Sequence, residues 1–373
     1  MIIGVPKEIK PNENRVALTP AGTEMLHKEG HTILVEHNAG IGSGLADEQY
    51  LHAGAQVLTD LGRLYDEAEM IIKVKEPQPE EYDRYHADQV LYTYLHLAAA
   101  PELTRMLMAK RVTAIAYETI EAPDHSLPLL MPMSEVAGRM AVQVGERFLE
   151  EENGGKGILL GGVPGVEAAQ VVILGGGIVG MNATMMAVGT GARVAVIDRN
   201  ADRLRYFDEL FRGRVTTIMS NSYNIATWVK AADLFIGAVL VPGARAPHLV
   251  TEAMVKTMEP GSVIIDVAID QGGTVETIDH STTHSNPTYV KFGVVHYAVA
   301  NMPGAVPRTS TYALTNATLP YAQLIAGQGW REAVQLLPGL ARGVNVVNGH
   351  VTYKAVADSL GLPYLPLETA MQG

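Results

Sequence analysis

The stretch "QVVILGGGIVGMNATMMAVGTGARVAVID", residues 170–198, decides the fold. An apolar run leads into glycines spaced G-x-G-x-x-G, at Gly175, Gly177 and Gly180, and a helical pattern and a second apolar run follow. In a strand–helix–strand unit, Gly175 permits a tight turn, Gly177 lets the backbone approach a pyrophosphate, and Gly180 allows close helix–strand packing. The stretch therefore predicts a Rossmann-like dinucleotide-binding unit.

Asp198 closes the second apolar run, 23 residues after Gly175. At that position a carboxylate can accept hydrogen bonds from both ribose hydroxyls of a dinucleotide, and it repels a 2′-phosphate. We therefore expect NAD rather than NADP, although the neighbouring Arg199 weakens the preference. The alternative interpretation is a glycine-rich turn in a Rossmann-like domain that binds no cofactor.

Short β-branched runs alternate with helical patterns along most of the chain, in two series. The first series predicts strands at 2–5, 31–36, 70–75, 89–95 and 113–120. The second predicts about six strands, at 170–177, 193–198, 215–220, 234–240, 262–268 and 293–299. Such alternation is typical of βαβ units, so we predict an α/β protein with parallel sheets.

The segment 131–155 separates the two series. Ser134 is a suitable N-cap, and apolar residues recur every four positions from Val136 to Phe148, which predicts one long helix. We interpret this helix as a connector between two domains, and the alternative is a core helix of a single domain. The tail after 307 is too short for a domain of its own, so we expect it to pack on the first sheet.

The composition narrows the classes of function. The 373 residues suffice for two domains, and 47% hydrophobic with 18% charged residues is ordinary for a globular protein. A net charge of −12 disfavours a nucleic-acid partner. The absence of cysteine excludes disulfides, thiolate catalysis and cysteine-ligated metals. Since there is neither a signal-peptide pattern nor a run of roughly 18 apolar residues, we expect a cytoplasmic protein without membrane contact.

Three groups that are cationic, or can become so, lie at predicted strand ends of the first series. Lys75 closes one strand, His96 follows the next, and Arg15 lies in the loop after the first. Taken singly, Lys75 and Arg15 are more often solvated surface charges, and His96 is more often a hydrogen-bonded core residue. Because ligands bind beyond the carboxyl ends of parallel strands, the three together predict a pocket for a small carboxylate. Arginine would act as a bidentate clamp, lysine as a point charge and the imidazole as the proton carrier.

Two acids, Asp266 and Asp270, lie in "IIDVAIDQGG", residues 264–273, at the end of a strand of the second series. Asp266 lies inside the apolar run, which suits a structural residue. Asp270 lies beyond the run and before two glycines, where a side chain is better placed to face a substrate. We favour Asp270 for chemistry and leave Asp266 open.

These residues lie within stretches in which the chain resembles the alanine dehydrogenases, along essentially its whole length. The matching stretches are long and irregular: they include "VPKEIKPNENRVALTP", "KVKEP", "YLHLA", "PMSEVAGRMA", "GGVPGV", "GAVLVPGA", "VAIDQGG" and "VANMPGAVPRTSTYALTNATLPY". The resemblance implies two Rossmann-like, doubly wound parallel-sheet domains joined by long helices. Residues 1–130 plus 308–373 would bind the substrate and 131–307 would bind NAD. Assembly to a homohexamer is implied as well.

The resemblance also assigns roles to single residues. Those matching Arg15 and Lys75 hold the carboxyl and carbonyl groups of the substrate, and those matching His96 and Asp270 are catalytic. The residues implied to line the NAD site, besides the three glycines, are Ser134, Ile178, Val179, Asp198, Arg203, Ser220, Val239, Leu240, Val267 and Asn301. One departure is His280, where relatives are expected to carry an arginine near the outer edge of the cofactor.

The implied activity is the reversible, NAD-dependent oxidative deamination of L-alanine to pyruvate and ammonia, with formation of NADH. No metal is required, because the cofactor carries the hydride. One alternative is the NAD-binding component of a proton-translocating transhydrogenase, which shares the glycine motif and parts of the first domain. Another is a non-catalytic NAD-sensing protein, in which Arg15, Lys75, His96 and Asp270 would have no reason to occur together.

Overall fold

The computed structural model describes residues 1–239, 248–269 and 272–372. The chain divides into two compact units: unit 1 comprises Met1–Met133 and Val306–Gly373, and unit 2 comprises Ser134–Ala305. The sequence placed these divisions at 130/131 and 307/308.

The regular elements alternate along most of the chain. The strands are β1 (Ile2–Val5), β2 (Thr32–Glu36), β3 (Gln56–Leu58), β4 (Met70–Ile72), β5 (Val90–Thr93), β6 (Thr113–Ala116), β7 (Gln170–Leu174), β8 (Arg193–Asp198), β9 (Val215–Met219), β10 (Leu234–Gly237), β11 (Val263–Asp266), β12 (Thr288–Lys291), β13 (Val294–Tyr297), β14 (Val344–Val347) and β15 (His350–Val351). The helices are α1 (Pro20–Lys28), α2 (Asp47–His52), α3 (Leu61–Glu67), α4 (Pro101–Ala109), α5 (Met131–Leu149), α6 (Ile178–Gly189), α7 (Ala201–Phe211), α8 (Ser222–Ala231), α9 (Glu252–Val255), α10 (Pro307–Gln328), α11 (Trp330–Leu336), α12 (Pro338–Ala341), α13 (Lys354–Leu360) and α14 (Leu367–Ala370).

The two sheets are built on the same strand order. In unit 1, six parallel strands run β3-β2-β1-β4-β5-β6, and β14 and β15 extend the β6 edge in antiparallel fashion. In unit 2, six parallel strands run β9-β8-β7-β10-β11-β13, and β12 lies antiparallel on β13. Both are doubly wound orders, which confirms the predicted fold class. Strand order reverses between β1 and β4 and between β7 and β10, the positions where such sheets bind ligands.

The central strands are apolar because both faces of each sheet are covered. In β2, Ile33, Leu34 and Val35 are wholly buried, and in β11 Val263, Ile264 and Ile265 are too. Continuous apolar runs of this kind are typical of parallel strands packed on both sides. Truncating one such leucine to alanine costs about 2–5 kcal/mol of stability. The packed cores therefore hold the carboxyl ends of the strands in fixed positions.

Helix α5 crosses the division between the two units, and its residues from 134 onward belong to unit 2. A Cβ on Gly138 would overlap the carbonyl oxygen of Val179, and one on Gly145 would overlap the side chain of Leu234. Glycine at these two positions therefore lets α5 pack closely on α6 and β10. The helix begins at Met131, so the prediction that Ser134 is its N-cap is wrong.

Four strands were missing from the predicted series: β3, β12, β14 and β15. β3 and β12 are mostly exposed or half-buried, so no apolar run marks them. β14 is a buried apolar run and β15 has two residues, but both lie in the tail, where no strand–helix alternation marks them. The segment after residue 306 supplies β14 and β15, and these strands lie in the sheet of unit 1, where the tail was expected to pack.

Candidate active site

The carboxyl ends of β1, β4 and β5 bring three predicted groups to one edge of the unit 1 sheet. Arg15 lies in the loop after β1, and Lys75 and His96 each lie three residues beyond the end of their strand. Since β4 pairs with both β1 and β5, the three strand ends are adjacent. The predicted strands ran on to Lys75 and Leu95, but the observed ones end at Ile72 and Thr93, which leaves the side chains of Lys75 and His96 beyond the sheet.

Arg15 is buried and paired with a carboxylate that the sequence analysis did not single out. Its Nε and Nη2 donate to the two oxygens of Glu13, at 2.6 and 2.5 Å, and its Nη1 lies 3.0 Å from the sulfur of Met133. Burial alone would lower the pKa of Arg15, but the Glu13 hydrogen bonds outweigh it and the pKa is raised. Burial would raise the pKa of Glu13, but Arg15 lowers it. The two groups therefore form an ion pair, and Glu13 occupies one bidentate edge of the guanidinium.

Lys75 is half-buried, with its backbone tied to both neighbouring segments. Its N–H donates to Glu8 at 3.3 Å, and its carbonyl accepts from the hydroxyl of Thr93 at 3.0 Å. Its ammonium lies 6.0 Å from the centroid of the Tyr94 ring. Burial, followed by the positive charges of Arg15 and Lys10, lowers the pKa of Lys75.

His96 is not a core residue, because 47% of its side chain is exposed. Its backbone is left-handed, with φ of 50°, a conformation that is uncommon outside glycine. The N–H of His96 donates to Glu118 at 2.6 Å, and Nδ1 lies 3.7 Å from the same oxygen. The imidazole stacks parallel to the Tyr94 ring, with centroids 6.0 Å apart. The side chain is thus oriented from two sides and open to solvent.

The two lysines of "KVKEP" differ in role. Lys73 is wholly buried and ion-paired with Glu8 at 3.2 Å and Glu81 at 2.8 Å, so it belongs to the interior of unit 1. Glu8 also accepts from the N–H of Val74 at 2.6 Å. Lys75, two residues on, is the lysine at the sheet edge.

The glycine motif forms the turn between β7 and α6. Gly175 has a φ of +104°, and a Cβ there would lie 2.6 Å from the carbonyl oxygen of Ala238. A Cβ on Gly180 would overlap the carbonyl oxygen of Gly175, whereas one on Gly177 would meet no atom within 4 Å. The turn thus requires glycine at 175 and 180, and Gly177 leaves open space before the helix.

Among the described residues, no side chain caps the N–H groups in the first turn of α6. Gly177 is the N-cap and makes no side-chain hydrogen bond, whereas α7 and α8 are capped by Asn200 and Asn221. Uncapped amides and the positive end of the helix dipole suit a pyrophosphate. The residues present therefore fit a dinucleotide.

Asp198 and Arg203 both hold the glycine turn. Asp198 accepts from the N–H of Gly176 at 2.6 Å and from the N–H of Asn200 at 2.7 Å. Arg203 donates through Nε to the carbonyl of Gly176, and its guanidinium lies 5.0 Å from the centroid of the Tyr206 ring. Neither contact was predicted, since the sequence suggested only cofactor contacts for these two residues.

The other residues implied for the NAD site belong to unit 2 and follow its strands or begin its helices. Ile178 and Val179 begin α6, Ser134 lies in the first turn of α5, and Ser220, Val239, Val267 and Asn301 follow β9, β10, β11 and β13. Leu240 lies outside the described residues.

Asp266 has a structural role. It is wholly buried and accepts from the N–H groups of Ala268, Thr274 and Val275, at 3.1, 2.5 and 3.1 Å. These bonds tie down both ends of the segment that contains Asp270. Asp270 itself lies outside the described residues.

An open glycine turn on one doubly wound sheet and a charged edge on another are features of nicotinamide-dinucleotide-dependent oxidoreductases. Within the residues that the structure describes, no helix is both long and apolar enough to cross a membrane.

The chain belongs to the alanine dehydrogenase/PNT family, and it is an NAD-dependent oxidoreductase. The model for the N-terminal domain of that family matches residues 4–137, and the model for the C-terminal domain matches residues 141–354. The resemblance stated from the sequence is thereby confirmed.

The chain is more similar in sequence to two alanine dehydrogenases than to a transhydrogenase. An alanine dehydrogenase from Methanococcus maripaludis is 61% identical over 371 residues, which is 100% of both chains. The solved structure of an L-alanine dehydrogenase is 56% identical, with a TM-score of 0.94 over 97% of this chain and 99% of that one. A transhydrogenase from Sinorhizobium meliloti shares the fold, with a TM-score of 0.81 over 95% of this chain and 100% of that one, but only 23% identity.

Proposed function

We propose that this protein is an L-alanine dehydrogenase that uses NAD. It oxidises L-alanine, with water and NAD, to pyruvate, ammonium, NADH and a proton, and it aminates pyruvate in reverse. The observation that carries the proposal is the convergence of Arg15, Lys75 and His96 on adjacent strand ends of unit 1, in a chain of this family.

Unit 2 holds the cofactor. Its pyrophosphate would bind at the uncapped start of α6, beside Gly177, and a ribose would bind at Asp198. When bound, NAD accepts the hydride from C2 of the amino acid. Unit 1 holds the substrate, and the bidentate clamp predicted for Arg15 needs one change. Because Glu13 takes the Nε–Nη2 edge, Glu13 and the substrate carboxylate share the guanidinium.

Lys75 and His96 act on the polar groups at C2. Lys75 is the donor for the carbonyl oxygen of pyruvate. Loss of the hydride leaves an iminium, to which water adds, and the resulting carbinolamine collapses to pyruvate and ammonia. His96 and Asp270 move the protons in these hydrolytic steps.

The proposal extends to assembly and location. We propose a homohexamer of about 240 kDa, six copies of a 40.0 kDa chain, in the cytoplasm. Light scattering of the purified protein tests the first point, and a monomer or dimer would contradict it.

The activity is tested by mixing purified protein with NAD and L-alanine and recording NADH absorbance. We expect NADH to form only when L-alanine is present, whereas a transhydrogenase component or an NAD sensor would give no alanine-dependent signal. His96→Ala should lower kcat at least about 100-fold and leave NADH binding nearly unchanged, because the imidazole moves protons and does not hold the cofactor.

His125→Ala is the matched control, since His125 is an exposed histidine paired only with Glu121 among the described residues, and it should keep wild-type kcat. Wild-type kcat in His96→Ala would overturn the assignment of His96.

A further inference from the structure

We infer that Glu118 is a positioning residue for this reaction: it holds the backbone and the imidazole of His96 in the arrangement that moves protons. The inference rests on the proposed function, because it needs His96 to be the proton carrier. Glu118 was not among the residues that the sequence singled out.

Glu118 lies in the short 3₁₀ turn Tyr117–Thr119 that follows β6, the strand next to β5. Its carboxylate is 14% exposed and faces the end of β5. Both oxygens lie 3.2 Å from the N–H of Leu95, and Oε1 lies 2.6 Å from the N–H of His96. The carboxylate therefore accepts hydrogen bonds from two backbone N–H groups that lie beyond the end of β5 and are not paired in the sheet.

This contact explains why His96 can keep an unfavourable backbone. A φ of 50° is strained for a residue with a Cβ, and such a conformation persists only where its surroundings fix it. Glu118 supplies a charge-assisted hydrogen bond to the strained residue itself. The turn directs the imidazole away from the core, where 47% of the side chain is exposed.

The same carboxylate also faces the imidazole. Among the described residues, Glu118 is the carboxylate within ion-pairing distance of His96, with 3.7 Å from Oε1 to Nδ1. Tyr94 stacks on the ring, and the ammonium of Lys75 lies 6.0 Å from the Tyr94 centroid. When the imidazole takes a proton, its charge develops beside a carboxylate that the two amides already hold in place. A preorganised carboxylate of this kind stabilises the charge that develops during proton transfer without further rearrangement.

The test compares Glu118→Gln and Glu118→Asp with wild type and with Glu121→Gln. Glutamine keeps an oxygen for the amides but removes the charge, and aspartate keeps the charge on a shorter arm. Glu121, three residues on, pairs at the surface with His125 and Arg342, so its variant controls for the loss of one carboxylate in this segment.

We expect Glu118→Gln to lower kcat by about 10- to 100-fold, with the KM for NAD within twofold of wild type. Because proton transfer becomes slower than hydride transfer, the solvent deuterium isotope effect on kcat should rise, and the effect of deuterium at C2 of L-alanine should fall. Glu118→Asp should recover part of the lost kcat, and Glu121→Gln should match wild type in every measurement.

Two results would overturn the inference. One is a wild-type kcat in Glu118→Gln. The other is a lower kcat in both Glu118 variants with unchanged isotope effects, which a merely structural role for Glu118 would give. His96→Ala, measured alongside, separates this failure from that of the proposed function. If His96→Ala keeps wild-type kcat, the function assigned to His96 fails. If His96→Ala loses turnover while the Glu118 variants keep wild-type kcat, the present inference fails alone.

Discussion

The two sheets share one strand order, but their carboxyl edges carry different chemistry. In unit 1 the edge presents charged side chains: Arg15 is paired with Glu13, and Glu8 and Glu118 hold the backbones of Lys75 and His96. In unit 2 the corresponding turn presents glycines and backbone amides.

The helix after the first strand of each sheet shows the contrast most clearly. Helix α1 begins with Pro20, which has no N–H, and the side chain of Thr19 accepts from the N–H of Gly22. The N-terminus of α1 is therefore capped by its own residues. Helix α6 begins after Gly177 with no side-chain cap. On the proposed assignment, one topology serves a small carboxylate through side chains and a pyrophosphate through a helix end. The residues at the edge, and not the fold, would then decide the ligand.

The largest expected effect breaks the unit 2 edge. In Gly180→Ala, the new Cβ would overlap the carbonyl oxygen of Gly175, so the turn must open and NAD binding should weaken at least about 100-fold. Gly189→Ala in the same helix is the control, because its Cβ would meet nothing within 4 Å. Titration calorimetry with NAD measures both, and equal affinities would contradict the role given to the turn.

An intermediate effect concerns the unit 1 edge. Arg15→Lys keeps the charge but loses the bidentate pairing with buried Glu13, so stability should fall by about 1–3 kcal/mol. The KM for L-alanine should rise about 10- to 100-fold while the KM for NAD stays within twofold. Steady-state kinetics and urea unfolding measure these quantities.

Arg63→Lys, in a surface pair with Glu67, provides the control for Arg15→Lys and should change stability by less than about 0.5 kcal/mol. If the KM for NAD rose as much as that for L-alanine in Arg15→Lys, the two edges would not be chemically separate.

The smallest expected effect is on thermal stability, and it concerns His296, a core histidine that contrasts with His96 at the sheet edge. His296 is wholly buried, with Nε2 2.8 Å from the hydroxyl of Thr277 and Nδ1 2.9 Å from the carbonyl of Val294. Burial lowers the pKa of His296, so the unfolded chain binds this proton more readily than the folded one. The stability contributed by neutral His296 is therefore present above the unfolded pKa of about 6.5 and is lost as the pH falls below it.

Thermal unfolding of wild type and His296→Asn at pH 7.5 and 5.5 measures this difference. The gap in Tm between the two proteins should narrow at the lower pH. A gap in Tm that widens at pH 5.5 would contradict the predicted direction of the pH dependence.

The elements that the sequence predicted are those with a local pattern. The glycine motif specifies its own turn, and each central strand is a short apolar run, so the six parallel strands of unit 2 and five of those in unit 1 could be located in advance. β3, β12 and β15 lack that pattern, and β14 lies in a tail without strand–helix alternation, so the place of these four strands depends on neighbours distant in the chain.

The carboxylates behind the charged edge were missed for a similar reason. Glu118 binds a residue 22 positions away and Glu8 one 66 positions away, and no local spacing announces such pairs. Spacing alone favoured Asp270 over Asp266 for chemistry without excluding Asp266, and taken singly His96 was more often expected to be a core residue. Hydrogen-bond partners and exposure answered the questions on Asp266 and His96, because they depend on the folded chain.

The most direct test of this account is a crystal structure of the protein with NAD and pyruvate bound. We predict the pyrophosphate at the first turn of α6, and the pyruvate carboxylate on Arg15 with its carbonyl oxygen within hydrogen-bond reach of Lys75 and His96. Pyruvate bound away from these three side chains, with NAD in its expected place, would contradict the central claim that the charged edge of unit 1 is the substrate site.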